Sequence, residues 1–296
     1  MSNALPLALA AAEPHTRPAM QEIEVVSEFL TTLCGIGICI LLAWLGSGMM
    51  NPVRFKLSGC PGRSNRLTPL HVLAVLVVSL LGASLIVQAV GFCVELGETR
   101  KTLIAATALP LLGLVGGLIV AAFSFDGGIS GGMGFTGRRW INDSIRSVIS
   151  FLAILPICMG ILLVTAYFIR WISPNRELLA PHRFLQILTD PGVPMLWRWV
   201  VILAAGVLAP LGEEVFFRGL LQSMFRRYLH RSWSAVVVTS ILFSGVHFSD
   251  IKSLPALFAL SVAIGYNYER TGRLYAPIMI HMLFNLVMIA EALSHT

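Results

Sequence analysis

Long apolar runs recur along the whole chain, and they constrain its fold more than any other feature. Of the 296 residues, 56% are hydrophobic and only 12% are charged, and the mean hydropathy is +0.80. An ordinary soluble domain carries about twice that fraction of charge. A transmembrane helix needs about 20 mainly apolar residues. The sequence therefore predicts an all-α, polytopic transmembrane helical bundle.

The runs divide the chain into four regions. Residues 1–27 are predicted to be a flexible tail; Met1 to Ala12 is apolar, but no basic residue precedes it as in a signal peptide. The Pro-containing stretch 171–196 is predicted to be an interfacial loop, between N-terminal scaffold helices (28–170) and a C-terminal helical core (197–292). About eight spans are predicted, at residues 28–50, 70–94, 102–123, 146–170, 197–224, 233–249, 253–268 and 274–292.

Basic residues between the runs predict the topology. Alternate loops place twelve on one side: Arg54, Lys56, Arg63, Arg66, Arg138, Arg139, Arg146, Arg226, Arg227, Arg231, Arg270 and Arg273. The other side holds eight: Arg17, Arg100, Lys101, Arg170, Arg176, Arg183, Arg198 and Lys252. The positive-inside rule makes the first side cytoplasmic, with both termini outside. This flanking pattern accounts for the net charge of +6 and gives no indication of a nucleic-acid partner.

Two glycine patterns lie in the first half. Gly113 and Gly117 form a GxxxG pair, which permits close helix packing. The stretch 132–137 matches GxGxxG, but no strand precedes it. The dinucleotide interpretation therefore lacks its structural context, and a mobile loop is predicted.

The stretch from Gly212 to Gly219 places three charged residues inside an apolar run. Intramembrane charge is costly and survives mainly where it is paired or faces a polar cavity. Glu214 and Arg218 are four residues apart and share a helical face, whereas Glu213 points about 100° away. We expect Glu214 and Arg218 to neutralise each other and Glu213 to be a spare carboxylate that exchanges protons.

Two further groups of polar residues lie in the C-terminal apolar runs. His247 ends the stretch Phe243-Ser-Gly-Val-His. His281 and Asn285 are four apart with apolar residues between them, so both face the bundle interior. Each alone is typical of interhelical hydrogen bonding. Together with Glu213 they supply what amide hydrolysis needs.

The chemistry of these side chains suggests a catalytic role for each residue. Glu213 suits the general base and acid, and His247 can hold or polarise the water. His281 and Asn285 can donate N–H groups to an oxyanion. No serine or cysteine lies in an evident nucleophile motif, so direct attack by water is favoured over an acyl-enzyme. The four C-terminal helices would enclose this catalytic cavity.

These ordered motifs resemble the CPBP family of intramembrane proteases, which includes CAAX-processing endoproteases and bacteriocin-processing or self-immunity proteins. The resemblance covers about residues 196–292. It implies a glutamate-dependent, metal-independent endopeptidase without a cofactor, in which Glu213 and His247 activate water and His281 and Asn285 form the oxyanion hole. Glu214 and Arg218 then support the site. The implied substrate is a membrane protein or lipidated peptide, in the cell membrane if the source is prokaryotic.

Three alternatives stay open. Glu213, His247 and His281 would form a His2Glu set of the kind that catalytic zinc uses, although HExxH spacing is absent. A non-catalytic immunity or partner-binding protein could keep the residues structurally. A transporter would also contain buried ionisable groups, but no pair of related halves is visible. The depths also differ, because helical rise places Glu214 about 18 Å, His247 about 24 Å and His281 about 12 Å from the basic flanks.

Overall fold

The computed structural model describes residues 27–47, 56–57, 59–60, 63–95, 97–135, 140–173, 187–188 and 192–294. Within these ranges the secondary structure is helical, apart from an isolated antiparallel bridge between Asn65 and Phe125. The predicted all-α fold is therefore confirmed. Residues 1–26 of the predicted tail, and most of the predicted interfacial segment 171–196, lie outside the described residues.

Helices occupy all eight predicted spans. In chain order they are α1 (Glu28–Gly46), α2 (Pro69–Cys93), α3 (Glu98–Ser124), the short α4 (Gly128–Met133), α5 (Trp140–Ile172), α6 (Met195–Leu229), α7 (Ser232–Gly245), α8 (Leu254–Thr271) and α9 (Tyr275–Ser294). Of these described helices, six are long and apolar enough to cross a membrane: α1, α2, α3, α5, α6 and α9. Helix α7 is apolar but has only 14 residues, and α8 has 18 residues with a polar last turn.

Local sequence explains where several helices begin and end. Ser27 caps α1, because its Oγ accepts the Leu30 N–H at 3.1 Å. Pro69 occupies the first turn of α2, where a missing N–H leaves no hydrogen bond unmade. Gly272 ends α8 with φ +70°, a left-handed conformation that favours glycine. The chain then turns directly into α9, which carries His281.

The helix ends meet in two groups, one on each side of the bundle, as the predicted topology requires. The connections on the predicted cytoplasmic side are joined by Arg66 N to Ser124 O (2.7 Å), Arg227 Nη1 to Leu67 O (2.8 Å), Arg226 Nε to Glu269 Oε2 (3.6 Å) and Arg273 Nη2 to Asp143 Oδ1 (2.6 Å). At the opposite end, Ser27 N donates to Glu291 Oε1 at 2.9 Å. The start of α1 and the end of α9 therefore lie together, as an even number of spans demands.

Helix α6 packs against α3, and small residues let the two helices approach each other closely. A Cβ on Gly212 would lie 2.4 Å from Pro110 O, and a Cβ on Gly117 would lie 2.6 Å from Val215 Cγ1. Both contacts are closer than carbon atoms tolerate, so glycine is required at these crossings. Gly113 instead faces Ser79 of α2 at an ordinary distance of 3.8 Å. Of the GxxxG pair, Gly117 is the member that brings α3 against α6.

The glycine-rich stretch after α3 is helical over part of its length, so the prediction of a loop is wrong at Gly132 and Met133. Residues Gly128–Met133 form α4, and the Met133 side chain is fully buried. Gly134 has φ +69°, and a Cβ there would lie 2.5 Å from Gly272 O. The Leu274 N–H donates to Met133 O at 3.0 Å. This segment therefore supports the turn that leads into α9; residues 136–137 lie outside the described residues.

Candidate active site

The helix that carries the charged residues is interrupted on both sides of them. Helix α6 contains α-helical stretches at Met195–Leu203, Ala209–Glu214 and Ser223–Leu229, separated by π-helical segments at Ala204–Leu208 and Val215–Gln222. A π segment pairs i with i+5 and is frequently found at functional sites. Glu213 and Glu214 end the central stretch, so the two wide turns set the directions in which their carboxylates point.

Glu214 and Arg218 form the expected ion pair. Arg218 Nη1 lies 2.7 Å from Glu214 Oε1, and both side chains are completely buried. The guanidinium also donates from Nη2 to Ser261 Oγ at 2.8 Å and to Ser261 O at 3.3 Å. Its Cζ lies 4.7 Å from the centre of the Phe243 ring. Charge pairing, hydrogen bonds and a cation–π contact together make this buried guanidinium tolerable.

His281 lies between the two glutamates. Its Nδ1 is 2.7 Å from Glu214 Oε1, and its Nε2 is 3.8 Å from Glu213 Oε2. The Glu213 side chain is 28% exposed, whereas that of Glu214 is fully buried. Glu213 is thus outside the ion pair, as expected, and it is the more exposed of the two carboxylates.

Phe243 connects the two histidines. Its ring is fully buried, and its centre lies 5.1 Å from that of His247 and 5.6 Å from that of His281. His247 Nδ1 lies 2.9 Å from the Phe243 carbonyl oxygen. A carbonyl oxygen only accepts, so Nδ1 carries the proton and the neutral ring presents Nε2 as an acceptor. An imidazole in this tautomer can accept a hydrogen bond from water.

Asn285 lies one turn beyond His281 on α9. Its Nδ2 donates to Ala205 O, in the first π segment of α6, at 2.8 Å. A Cβ on Gly206 would lie 2.7 Å from Leu286 Cδ2, so α9 approaches this segment closely. An amide NH2 carries two hydrogens. The Ala205 bond fixes the orientation of the Asn285 side chain and leaves the second hydrogen for a ligand.

The structure thus brings Glu213, Glu214, Arg218 and His281 into one contact group. Phe243 places His247 beside it, and the Ala205 bond places Asn285. Sequence reasoning missed the contacts of two residues. Phe243 was read only as an apolar position before His247, and Ser261 lies in an apolar run with no polar residue at helical spacing to single it out.

Metal ligation finds no further support in this arrangement. Within the described part of the chain, no group of three or more His, Cys, Asp or Glu side chains could hold a metal ion. Both His281 nitrogens already face carboxylate oxygens. Metal independence stays a prediction.

Comparisons with known proteins agree with this location. Residues 195–287 match the family described as "Type II CAAX prenyl endopeptidase Rce1-like". The "Membrane-embedded CAAX protease MroQ" of Staphylococcus aureus is 30% identical over 142 residues, 46% of this chain and 52% of that protein. The "Putative membrane peptidase YdiL" of Bacillus subtilis is 26% identical over 95 residues, 32% and 38% of the two chains. An Escherichia coli protein named "Uncharacterized 24.3 kDa protein" is 34% identical over 86 residues, 28% and 40% of the two.

The segment that the family model matches lies in the C-terminal part of the chain. The chain spans only 38% to 52% of the length of these three relatives. No solved structure matches it. All six site residues lie inside the segment 195–287. With six described helices of spanning length, the chain is an integral, multi-pass membrane protein.

Proposed function

We propose that this chain, whose residues 195–287 match the family described as "Type II CAAX prenyl endopeptidase Rce1-like", is a glutamate-dependent intramembrane endopeptidase of the CPBP type. One observation carries the proposal. Of two adjacent glutamates, Glu214 is sealed in an ion pair, while Glu213 is 28% exposed beside His281. A reachable carboxylate in an otherwise apolar helix suits the activation of water.

Hydrogen-bond geometry decides which form of His281 can act as a donor from Nε2. His281 Nδ1 points to Glu214, so Nε2 can donate only in the imidazolium form. In that form its Nε2–H is the donor that an oxyanion requires. We therefore assign oxyanion stabilisation to His281 as the imidazolium.

Hydrolysis proceeds by direct attack of water. His247 Nε2 orients the water, Glu213 takes one of its protons, and the water oxygen bonds to the carbonyl carbon. The carbonyl electron pair moves onto oxygen, where His281 Nε2 and the second Asn285 N–H donate to it. The C–N bond then breaks, and Glu213 returns its proton to the departing nitrogen. The products are a carboxylic acid and an amine, and no acyl-enzyme forms.

The location of the site defines the substrate class. Glu213 lies within α6, a helix of spanning length and composition. A scissile bond must therefore enter the bundle from the membrane or its surface, which favours a membrane-associated or lipid-anchored protein or peptide. Prenylated C-termini are one member of this class, in keeping with the family name. A zinc-dependent mechanism and a non-catalytic partner-binding role are the competing proposals.

The test compares membrane-protein termini by mass spectrometry in source cells that express the wild-type chain, Glu213→Gln or Glu95→Gln at matched levels. Glu95 is an exposed residue just beyond α2, so its variant makes the same chemical change away from the site. New termini present with wild type and Glu95→Gln, and absent with Glu213→Gln, support the protease. The same termini in all three, with the cellular function kept, refute glutamate catalysis and favour a partner-binding protein.

A further inference from the structure

A second set of polar contacts holds the π segment Val215–Gln222, which follows Glu214 and is called the wide turn below. Ser223 Oγ lies 3.1 Å from the carbonyl oxygen of Arg218, five residues earlier, and 3.1 Å from Tyr268 Oη of α8. The Ser223 and Tyr268 side chains are buried, the latter completely. These contacts lie at the boundary where the π segment Val215–Gln222 returns to α-helix.

The direction of the hydrogen bonds follows from chemistry. The Arg218 carbonyl oxygen can only accept, so the single hydroxyl proton of Ser223 goes to it. Ser223 Oγ must then accept the phenol proton of Tyr268. Tyr268 therefore fixes which way the Ser223 hydroxyl points, and so helps to hold the carbonyl of Arg218 in the wide turn.

Tyr268 is itself held from outside α8. The guanidinium of Arg63 stacks on its ring at 3.7 Å and donates to Tyr268 O at 3.1 Å and to Gly272 O at 3.0 Å. Next to Ser223, Gln222 Nε2 donates to Gly265 O of α8 at 3.1 Å. The end of the π segment is thus attached to α8 at two consecutive residues.

We propose that Tyr268 is a positioning residue, which acts through Ser223 to keep the turn after Glu214 π-helical; this rests on the proposed function. If the turn closed into α-helix, a shift of one residue would rotate the preceding residues by about 100° relative to the following ones. Glu213 and Glu214 would then lose their alignment with His281. Tyr268 touches no reacting atom, but it sets the geometry of the carboxylates that do.

The test uses variants that remove single oxygen atoms. Tyr268→Phe removes Oη but keeps the ring under Arg63, and Ser223→Ala removes the intermediate hydroxyl. Tyr275→Phe is the matched control, because it also breaks an interhelical phenol–serine contact, between Tyr275 Oη and Ser144 Oγ at 2.9 Å. Purified full-length proteins are assayed on the peptide that the comparison of termini identifies, and kcat is expressed per folded molecule.

We expect Tyr268→Phe and Ser223→Ala each to lower kcat about tenfold with KM within about twofold, since small misplacements of catalytic groups cost rate strongly. The double variant should be no slower than the slower single variant, because both substitutions interrupt the same chain of hydrogen bonds from Tyr268 through Ser223 to the Arg218 carbonyl. The pH profile of kcat should also move along the pH axis. A simple loss of folded protein would leave kcat per folded molecule, and its pH profile, unchanged.

Three results distinguish failure of the positioning role from failure of the proposed function. Equal kcat and pH profiles for Tyr268→Phe and Tyr275→Phe would overturn the positioning role, while the protease stands. Effects of the two single variants that multiply in the double variant would also overturn it, because the residues would then act independently. A wild-type protein that cleaves no more than Glu213→Gln would refute the proposed function, and the positioning role with it.

Discussion

Replacing Arg218 by methionine should destabilise the fold, because it leaves the Glu214 carboxylate buried without its cation. Both side chains are fully buried and joined at 2.7 Å. Removing one partner of a buried ion pair costs about 3–5 kcal/mol. His281 Nδ1 stays 2.7 Å from the same carboxylate oxygen and offsets part of that loss. We therefore expect a loss of about 3 kcal/mol in the free energy of unfolding.

A second replacement should recover much of this stability. In the double variant Glu214→Gln with Arg218→Met, no uncompensated charge is left in the interior. Replacing a whole buried pair by neutral groups is often close to neutral in stability. We expect the double variant to lie about 1–2 kcal/mol below wild type, and so above the single variant Arg218→Met.

The assay is reversible unfolding in detergent micelles with increasing dodecyl sulfate, followed by far-ultraviolet circular dichroism. Lys101→Met is the matched control, because it breaks an exposed pair with Glu98 at 2.9 Å, and such pairs contribute at most about 1 kcal/mol. The reasoning is refuted if Arg218→Met loses no more stability than Lys101→Met. It is also refuted if the double variant is less stable than Arg218→Met.

Three further predictions concern packing and chemistry. Gly212→Ala should cost about 1–3 kcal/mol of unfolding free energy, because its Cβ would lie 2.4 Å from Pro110 O. Gly160→Ala is the control in the same unfolding assay, because a Cβ added there would meet no neighbouring atom within 4 Å. Phe243→Leu should lower kcat on the identified peptide by at least tenfold, because both histidine rings lose their common support; unchanged kcat would contradict that role. A chelator such as 1,10-phenanthroline should leave the initial cleavage rate unchanged, and a loss that zinc restores would favour the zinc mechanism.

The sequence predicted the features that depend on local periodicity. Apolar runs located the helices, and a separation of four residues paired Glu214 with Arg218 and left Glu213 aside. Alternation of basic loops predicted which helix ends meet, as the bond between Ser27 and Glu291 illustrates. These predictions succeed because each rests on a rule that relates neighbouring residues, and membrane burial enforces the rule strictly.

Contacts between helices could not be read in the same way. Nothing in the sequence near Phe243 indicates that its ring supports two histidines from different helices. Nothing in the sequence around Ser261 indicates that its hydroxyl accepts a hydrogen bond from the Arg218 guanidinium. Such contacts depend on how far each helix is shifted and rotated against its neighbours, which periodicity within one helix does not specify.

The π segment in α6 bears on the predicted difference in depth between Glu214 and His281. Uniform helical rise places Glu214 about 18 Å and His281 about 12 Å from the basic flank, yet their side chains lie 2.7 Å apart. The eight residues Val215–Gln222, between Glu214 and that flank, are π-helical. Because a π turn uses more residues than an α turn, the chain advances less per residue there and Glu214 lies less deep. The π segment Val215–Gln222 therefore reduces the difference in depth between Glu214 and His281.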